Sequence, residues 1–326
     1  MFKYILKRII SLIPVVIIIS IMLFGIMKMM PGDPVLRMMP GGGGMSAERY
    51  QELYDTYAEK LGVNKPIHEQ YLRWVVNIVQ GDLGYSSLYK QDVKDVIAEP
   101  LKNSIFVNFF SVTLSFLIAI PVGIRCATKR GGLFDQFWQV FSLIGISIPT
   151  FFIGLLLIYF LAFKLKIFPA GGMPIKALSA SSLNYALSWL WYAALPILTL
   201  TIGSLAGTIR YVRSAMIDVI NKDYIRTARA KGLSDKVIIY THAFKNALIP
   251  VVTLVAGSIV ALFGGASITE QIFSWNGIGF VLIKALNARD FQVVLAMNMF
   301  YAVISLLANL IMDISYSLVD PRVKLN

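Results

Sequence analysis

Groups able to do acid–base, nucleophilic or metal chemistry are scarce in this chain. Cys126 is the only cysteine, so no internal disulfide can form. The two histidines, His68 and His242, fall on opposite sides of a membrane in the topology derived below, so they cannot share a metal ion. No Gly-x-x-x-x-Gly-Lys-Ser/Thr loop is present to cradle the phosphates of a nucleotide. Asp313 closes the last long apolar run, a position that suits an interfacial partner for a nearby cation. The strongest functional pattern is a surface rather than a reactive group. Within Tyr224–Gly232, the residues Ile225, Ala228 and Gly232 recur at i, i+3 and i+7 on one helical face, and Arg226, Arg229 and Lys231 occupy the opposite face. A short helix with one small apolar face suits insertion into a cleft on a soluble partner. The same cations could instead rest on anionic lipid. A second, weaker pattern is Phe273 and Trp275 between glycine-containing turns, a short re-entrant segment whose aromatic residues are candidates for contact with a solute.

The elements that must hold these residues are set by hydropathy. The 326 residues are 57% hydrophobic and only 15% charged, with a mean hydropathy of +0.68. A soluble domain carries about 25% charged residues, and no soluble core of this size would absorb the apolar excess. Six stretches of at least 18 residues lack Asp, Glu, Lys and Arg: Ile9–Met27, Asn103–Ile124, Gln136–Phe163, Ala177–Ile209, Asn246–Thr269 and Phe291–Met312. A membrane-spanning helix needs roughly 20 mostly apolar residues, so the sequence predicts six spans in an all-α polytopic membrane protein. The polar start of the fourth stretch, Ser179–Asn184, is expected outside the lipid. Pro14, Pro121, Pro149, Pro196 and Pro250 fall inside the stretches and predict kinks that neighbouring helices accommodate. Lys3, Lys7 and Arg8 followed by a run of about 19 apolar residues and then Pro31-Gly32-Asp33-Pro34 read as an uncleaved first span rather than a signal peptide.

Charge gives the orientation. One set of short segments carries 16 basic residues, from Lys3 and Arg125 through Arg210–Lys245 to Arg322 and Lys324, and the opposite short loops carry five: Lys164, Lys166, Lys176, Lys284 and Arg289. Basic residues accumulate on the cytoplasmic side, so both termini are expected there. The net charge of +12 is mostly this asymmetry, and no soluble basic domain exists to bind nucleic acid.

Three regions follow: a first transmembrane helix over 1–30, an outward helical loop domain over 31–100, and a five-helix core over 101–326 with a cytoplasmic loop at 210–245. The outward loop begins with the flexible tether Gly41–Gly44. Tyr50, Leu53, Tyr54, Tyr57 and Leu61 predict one amphipathic helix stopped by Gly62, and Ile67, Tyr71, Trp74, Val75 and Ile78 predict a second, opened by Pro66 and closed by Gly81. Together they predict a small helical cap on the membrane domain. In the inward loop, Asn221 or Asp223 is expected to cap a short helix running to Lys231 and ended by Gly232, and Ser234 a second helix leading through His242 into the fifth span.

The segment Tyr224-Ile225-Arg226-Thr227-Ala228-Arg229-Ala230-Lys231-Gly232 resembles the cytoplasmic signature loop of bacterial ABC-importer permeases, Glu-Ala-Ala, three residues, then Gly. Aligning Gly232 puts Arg226, Thr227 and Ala228 on the three signature positions, and Ala228 and Gly232 match. The variant Arg-Thr-Ala-Arg-Ala-Lys-Gly is similar to the peptide branch. So is the displaced proline, at Pro250 rather than within His242–Lys245. Leu6-Lys7-Arg8, Pro31-Gly32-Asp33-Pro34, Gly81-Asp82-Leu83-Gly84, Ile148-Pro149-Thr150-Phe151-Phe152, Phe273-Ser274-Trp275-Asn276-Gly277-Ile278-Gly279 and Asp320-Pro321-Arg322 resemble, in order, the first permease of dipeptide and oligopeptide importers. Nickel, glutathione and some oligosaccharide permeases share most of the set.

The resemblance implies a type I ABC importer permease fold in the bacterial inner membrane. It implies a coupling helix formed by Tyr224, Ile225, Arg226, Thr227, Ala228, Arg229, Lys231 and Gly232. It implies two separate ATPase subunits that bind ATP and Mg, a paralogous permease that completes a heterodimer, and an extracytoplasmic solute-binding protein. No cofactor is expected in this chain, nor an enzymatic activity of its own. Two rivals remain. An ion-coupled carrier would place ionisable residues at mid-membrane, and the six stretches are nearly free of them. An intramembrane enzyme would need a His pair, paired aspartates or an activated nucleophile within the spans, and none is evident.

Overall fold

The computed structural model describes residues 2–29, 31–33, 35–36, 39, 45–174 and 181–319. The tether Gly41–Gly44, Pro34, the start of the fourth apolar stretch at Ser179, the side chains of Pro250 and Asp313, and Asp320-Pro321-Arg322 lie outside what is described. Among the described residues the structure is helical, with one isolated bridge between Tyr85 and Asp92. The helices are α1 (Phe2–Met29), α2 (Ala47–Leu61), α3 (Ile67–Val79), α4 (Val93–Thr128), α5 (Leu133–Ser147), α6 (Thr150–Leu157), α7 (Ser182–Ile220), α8 (Asp223–Ala230), α9 (Asp235–Val237), α10 (Lys245–Gly264), α11 (Ser267–Ile272), α12 (Ile278–Asn287) and α13 (Phe291–Val319). π-helical turns at Ile158–Lys164 and Ile238–Phe244 extend α6 and join α9 to α10.

Four of these helices, α1, α4, α7 and α13, are long and apolar enough to cross a membrane unbroken. Two further crossings are bent pairs: Leu133–Ser147 with Thr150–Lys164 at 102°, and Asp235–Ala247 with Val251–Gly264 at 54°. Six crossings therefore fit the composition, but the stretches Gln136–Phe163 and Asn246–Thr269 do not form single straight spans. The first break has a local cause. Ile148 precedes a proline and is driven to extended backbone (φ −87°, ψ 126°), and Pro149 is also extended (φ −58°, ψ 135°), so α5 ends and α6 restarts in a new direction. Packing fixes the direction. A Cβ on Gly145 would lie 2.8 Å from the Ala206 side chain, and one on Gly203 would lie 2.9 Å from Thr150, so both arms of the bend press on α7 through glycine. Fifth-stretch residues Ser267 and beyond leave α10 at Gly265 (φ +64°) and form the separate α11.

The chain forms two compact units. One comprises Ile5–Pro100 with Val281–Leu306. Within it Ser46 caps α2 by accepting from the Arg49 N–H at 3.4 Å, and Gly62 stops α2 in the left-handed conformation (φ +66°). Val35, Met39 and Ala58 form a small core with Leu53, Tyr54 and Tyr57, and the Tyr54 hydroxyl donates to Asp33 Oδ2 at 2.7 Å. The aromatic stripe of α3 packs on α1: Phe24 lies 5.6 Å from the Tyr71 ring and 5.7 Å from Trp74, and the Tyr71 hydroxyl bonds Ser20 at 2.7 Å. Asp290, just before α13, accepts from the Ser86 hydroxyl at 2.6 Å and from the Leu88 N–H at 2.9 Å, which fixes the 84–92 turn.

The other unit comprises Leu101–Phe280 with the chain from Leu307 onward. It contains α8 and the segment around Phe273 and Trp275.

Candidate functional site

Eight residues, Asp223–Ala230, make up α8. A helix this short is not stable by propensity alone, and its start is weakly held. Lys222 occupies the cap position in extended backbone with no side-chain cap bond. Asn221 does not cap α8; its side-chain amide turns back to the Ile217 carbonyl at 3.0 Å and finishes α7 instead. Asp223 is the first helical residue rather than the cap, where its charge complements the positive helix end. The far end matches the sequence pattern. Gly232 is left-handed (φ +75°) and its N–H bonds the Arg229 carbonyl at 2.9 Å, while Leu233 N–H reaches back to Ala228 at 3.4 Å. Downstream, Ser234 stands in extended backbone before α9 without a side-chain cap bond, and the chain continues through the π-helical turn at His242 into α10.

Burial holds α8 in place. Ile225 is 0% exposed and Ala228 5%. Both sit in a cluster with Ile124 and Ala127 of α4, Val212, Ala215 and Met216 of α7, Ile238 and Ala243 of the π-helical turn, and Ala247 and Val251 of α10. The apolar face expected to enter a partner's cleft is therefore packed into the chain's own core. Periodicity identifies an apolar face but does not say who covers it. The face left open carries Tyr224 (45% exposed), Arg226, Thr227, Arg229 and Lys231, with the exposed Gly232 turn beside it. Arg226 and Asp223 approach to 3.5 Å with both side chains largely exposed, a pairing worth little in water. The open face is thus one aromatic knob among cations.

The mount of α8 is braced by a buried ion pair that sequence reasoning missed. Asp135, fully enclosed at the start of α5, accepts from Arg213 Nε at 2.6 Å and Nη2 at 2.9 Å, and also from the Gly131 N–H at 2.9 Å. Close by, a Cβ on Gly123 would lie 2.7 Å from the Val212 side chain, so α4 and α7 touch through glycine. The pair is 78 positions apart in sequence. Nothing in the local sequence sets Arg213 apart from Arg210 one turn earlier as the partner of a buried acid.

Phe273 and Trp275 are fully buried, in a cluster with Val107 of α4 and Ala193, Leu195 and Ile197 of α7. Neither side chain reaches solvent or the cavity described below. Trp275 Nε1 donates to the Asn103 carbonyl at 3.2 Å, and Asn103 Nδ2 donates to the Asn276 carbonyl at 2.8 Å. The Gly172 N–H bonds the Phe273 carbonyl at 2.7 Å, where Gly171 leaves no room for a Cβ (2.5 Å). The missed residue here is Glu270. Its buried carboxylate accepts from the Ser104 hydroxyl at 2.5 Å, the Phe280 N–H at 2.9 Å and the Ala266 N–H at 3.2 Å, and Ser104 Oγ in turn accepts from the Ile278 N–H at 2.8 Å. A buried carboxylate so fully occupied by donors anchors the turn between α11 and α12. Gly277 is required beside it, since a Cβ there would fall 2.4 Å from the carboxylate carbon. Its sequence signal was an acid one residue beyond the fifth apolar stretch.

An open apolar cavity of about 500 Å³ lies between α4 and α10, lined by Phe109, Val112, Phe116, Val255, Ile259 and Leu262 among others. Among the described residues no group of His, Cys, Asp or Glu could hold a metal ion.

Residues 119–325 match the family described as binding-protein-dependent transport system inner membrane component, and residues 1–105 match the N-terminal model of the same transport systems. The chain is 38% identical over 325 residues to the oligopeptide transport system permease protein AppB of Bacillus subtilis, covering 99% of this chain and all of that one. It is 34% identical over 341 residues to the dipeptide transport system permease protein DppB of Escherichia coli, covering 99% of each. Among solved structures it is similar to a chain of the MetNI methionine ABC transporter in an inward-facing conformation, with a TM-score of 0.55 and 18% identity over 69% of this chain and 96% of that one. That likeness carries the fold, a type I importer permease of packed membrane helices.

Proposed function

The chain belongs to the family of binding-protein-dependent transport system inner membrane components, and we propose that it forms one side of the translocation path of a peptide importer. It is a multi-pass membrane permease subunit, and in the proposed assembly a paralogous permease supplies the other side of the path as a heterodimer. Two ATP-binding subunits hold the nucleotide and Mg, and one of them docks on α8. A solute-binding protein delivers di- or oligopeptides to the opposite face. Both termini lie in the cytoplasm of a bacterial inner-membrane protein, in line with the 16-to-5 distribution of basic residues.

The observation that carries this reading is the two-faced geometry of α8. One face is locked by Ile225 and Ala228 into a cluster drawn from α4, α7 and α10. The other presents Tyr224, Arg226, Thr227, Arg229 and Lys231 to the solvent. Force applied to the open face must pass to those helices, because the inner face cannot slide without unpacking. The docking contacts are therefore the exposed residues, with Tyr224 as the central anchor, since aromatic and arginine side chains dominate contact energetics. Tyr224→Ala combined with Arg226→Glu should strip the ATPase subunits from the purified complex and abolish peptide-stimulated ATP hydrolysis, while the chain still inserts in the membrane. Full retention of the ATPase subunits together with full peptide uptake in this double variant would refute the docking role.

A further inference from the structure

Helix α3 carries more apolar surface than its packing on α1 consumes. Tyr71, Trp74, Val75 and Ile78 are half-buried, and Tyr71 and Trp74 stack on Phe24. Yet Leu72, Val76 and Val79 are 58%, 50% and 82% exposed. At about 100° per residue, Leu72, Val76 and Val79 form one stripe centred roughly 100° around the helix from Tyr71. Arg73, Glu69 and Gln80 are exposed on the next arc, and Gln70 lies beyond them. The helix therefore has three sides: one against α1, one bare and apolar apart from exposed His68 at its first turn, and one polar.

The contacts with α1 give the bare stripe a direction. Gln70 meets Lys28, the charged residue at the end of α1, whereas Tyr71 reaches Phe24 and Ser20, deeper along the same helix. The side of α3 bearing Gln70 thus looks towards the end of the span. Leu72, Val76 and Val79 lie on the opposite side and look down the span. Depth agrees. Phe24 is four residues before Lys28, about 6 Å along a helix axis, and interfacial helices sit about 5–10 Å into the headgroup–acyl boundary. On the face of α1 that carries Phe24 and Ser20, the residues one and two turns deeper, Ile17 and Ile13, are exposed and apolar, and only 11% of the helix's most apolar stretch is buried. Tyr71 and Trp74 stand where aromatic belts form.

We propose that α3 is an interfacial helix whose Leu72–Val76–Val79 stripe is seated in the lipid of one leaflet, beside the end of α1 at Lys28. The occupant of the stripe is phospholipid, contacted at the level where acyl chains meet headgroups. The polar side, carrying Arg73 and Glu69, stays in water. The helix then anchors the 31–100 segment to the bilayer surface independently of any protein partner, so its position tracks the membrane plane.

The test uses the full chain in lipid nanodiscs, with Cys126→Ala as background. Leu72→Cys, Val79→Cys and Arg73→Cys are each labelled with an environment-sensitive fluorophore. Quenching by nitroxide-bearing phospholipids is compared with quenching by a water-soluble collider. The expected result is stronger lipid-side than aqueous quenching at Leu72 and Val79, and the reverse order at Arg73. Stronger aqueous quenching at Leu72 and Val79 would overturn the proposal, because the stripe would then face water. Protection of both positions from both quenchers would also overturn it, because the stripe would then be covered by protein. An exchange of Leu72 and Val79 for serine keeps the helix polar and foldable; it should weaken lipid-side quenching at a label on Val76→Cys, and unchanged quenching there counts against the lipid seat.

Discussion

Ile225→Ala tests whether the mount of α8, rather than its exposed side chains, carries the mechanical connection. Ile225 is wholly enclosed within a cluster contributed by α4, α7 and α10. Removing its outer carbons leaves a cavity there, and substitutions of this kind cost about 2–5 kcal/mol. No side-chain cap holds the start of α8, and its exposed pair, Asp223 with Arg226, offers under about 1 kcal/mol. The cluster is thus the main restraint on eight residues that do not form a stable helix by themselves. At 1.4 kcal/mol per factor of ten, even the lower bound loosens the helix by roughly thirtyfold. Hydrogen exchange at the amides of 225–232 in the purified complex should quicken by at least about that factor, with amides in the middle of α7 unchanged. ATP hydrolysis should continue while transport per ATP falls, because the docking face survives and its mount does not. Unchanged exchange at 225–232 would show that the cluster is not what fixes α8. Faster exchange with full transport per ATP would show that the fixed position is not needed for transport.

Arg213→Ala removes the partner of a fully buried carboxylate, and breaking a buried pair in this way costs about 3–5 kcal/mol; the thermal midpoint of the detergent-solubilised protein should fall sharply, and Arg213→Lys should recover little, because Nε and Nη2 bond both carboxylate oxygens of Asp135 as a fork that a lysine cannot reproduce. Glu270→Ala leaves the hydroxyl of Ser104 and the N–H groups of Phe280 and Ala266 without their acceptor, at about 1–3 kcal/mol for each buried group left unpaired; the emission of Trp275, read with the other four tryptophans replaced by phenylalanine, should shift to the red as the turn loosens, and an unmoved spectrum would deny Glu270 its anchoring role.

What was legible in the sequence was local. Gly62, Gly81 and Gly232 read as helix stops, and all three adopt φ between +66° and +85°, because the need for a left-handed residue is written at the position itself. Long charge-free runs likewise announced the apolar helices. The 102° bend was not legible: Pro149 forecasts a kink, but its size depends on how closely Gly145 and Gly203 let the two arms approach α7. Nor was the inward face of α8, since an apolar stripe looks the same whether its own chain or another protein covers it. Phe273 and Trp275 looked like mouth residues for the same reason, and the structure encloses them. Asp135 with Arg213, and Glu270 with Ser104, are pairings of residues 78 and 166 positions apart, and nothing in either local sequence names the other.

The two missed pairings and the α8 cluster fit one mechanical argument. Exposing Ile225 alone would forfeit about 1.5–3 kcal/mol of apolar burial, and separating Arg213 from enclosed Asp135 would cost more. Both penalties oppose internal sliding between α4, α5, α7 and α8. The same cluster takes in Ala247 and Val251 of α10, and buried Glu270 holds Ser104 of α4, so α10 and α11 are tied to these four. A push on the open face of α8 is therefore expected to move that bundle as a block, with the bends at 148–149 and 247–251 as the places where the chain direction already changes. Nothing in this requires a charge to move within the spans: among the described residues, the buried acids Asp135, Glu270 and Asp290 are each held by donors as braces.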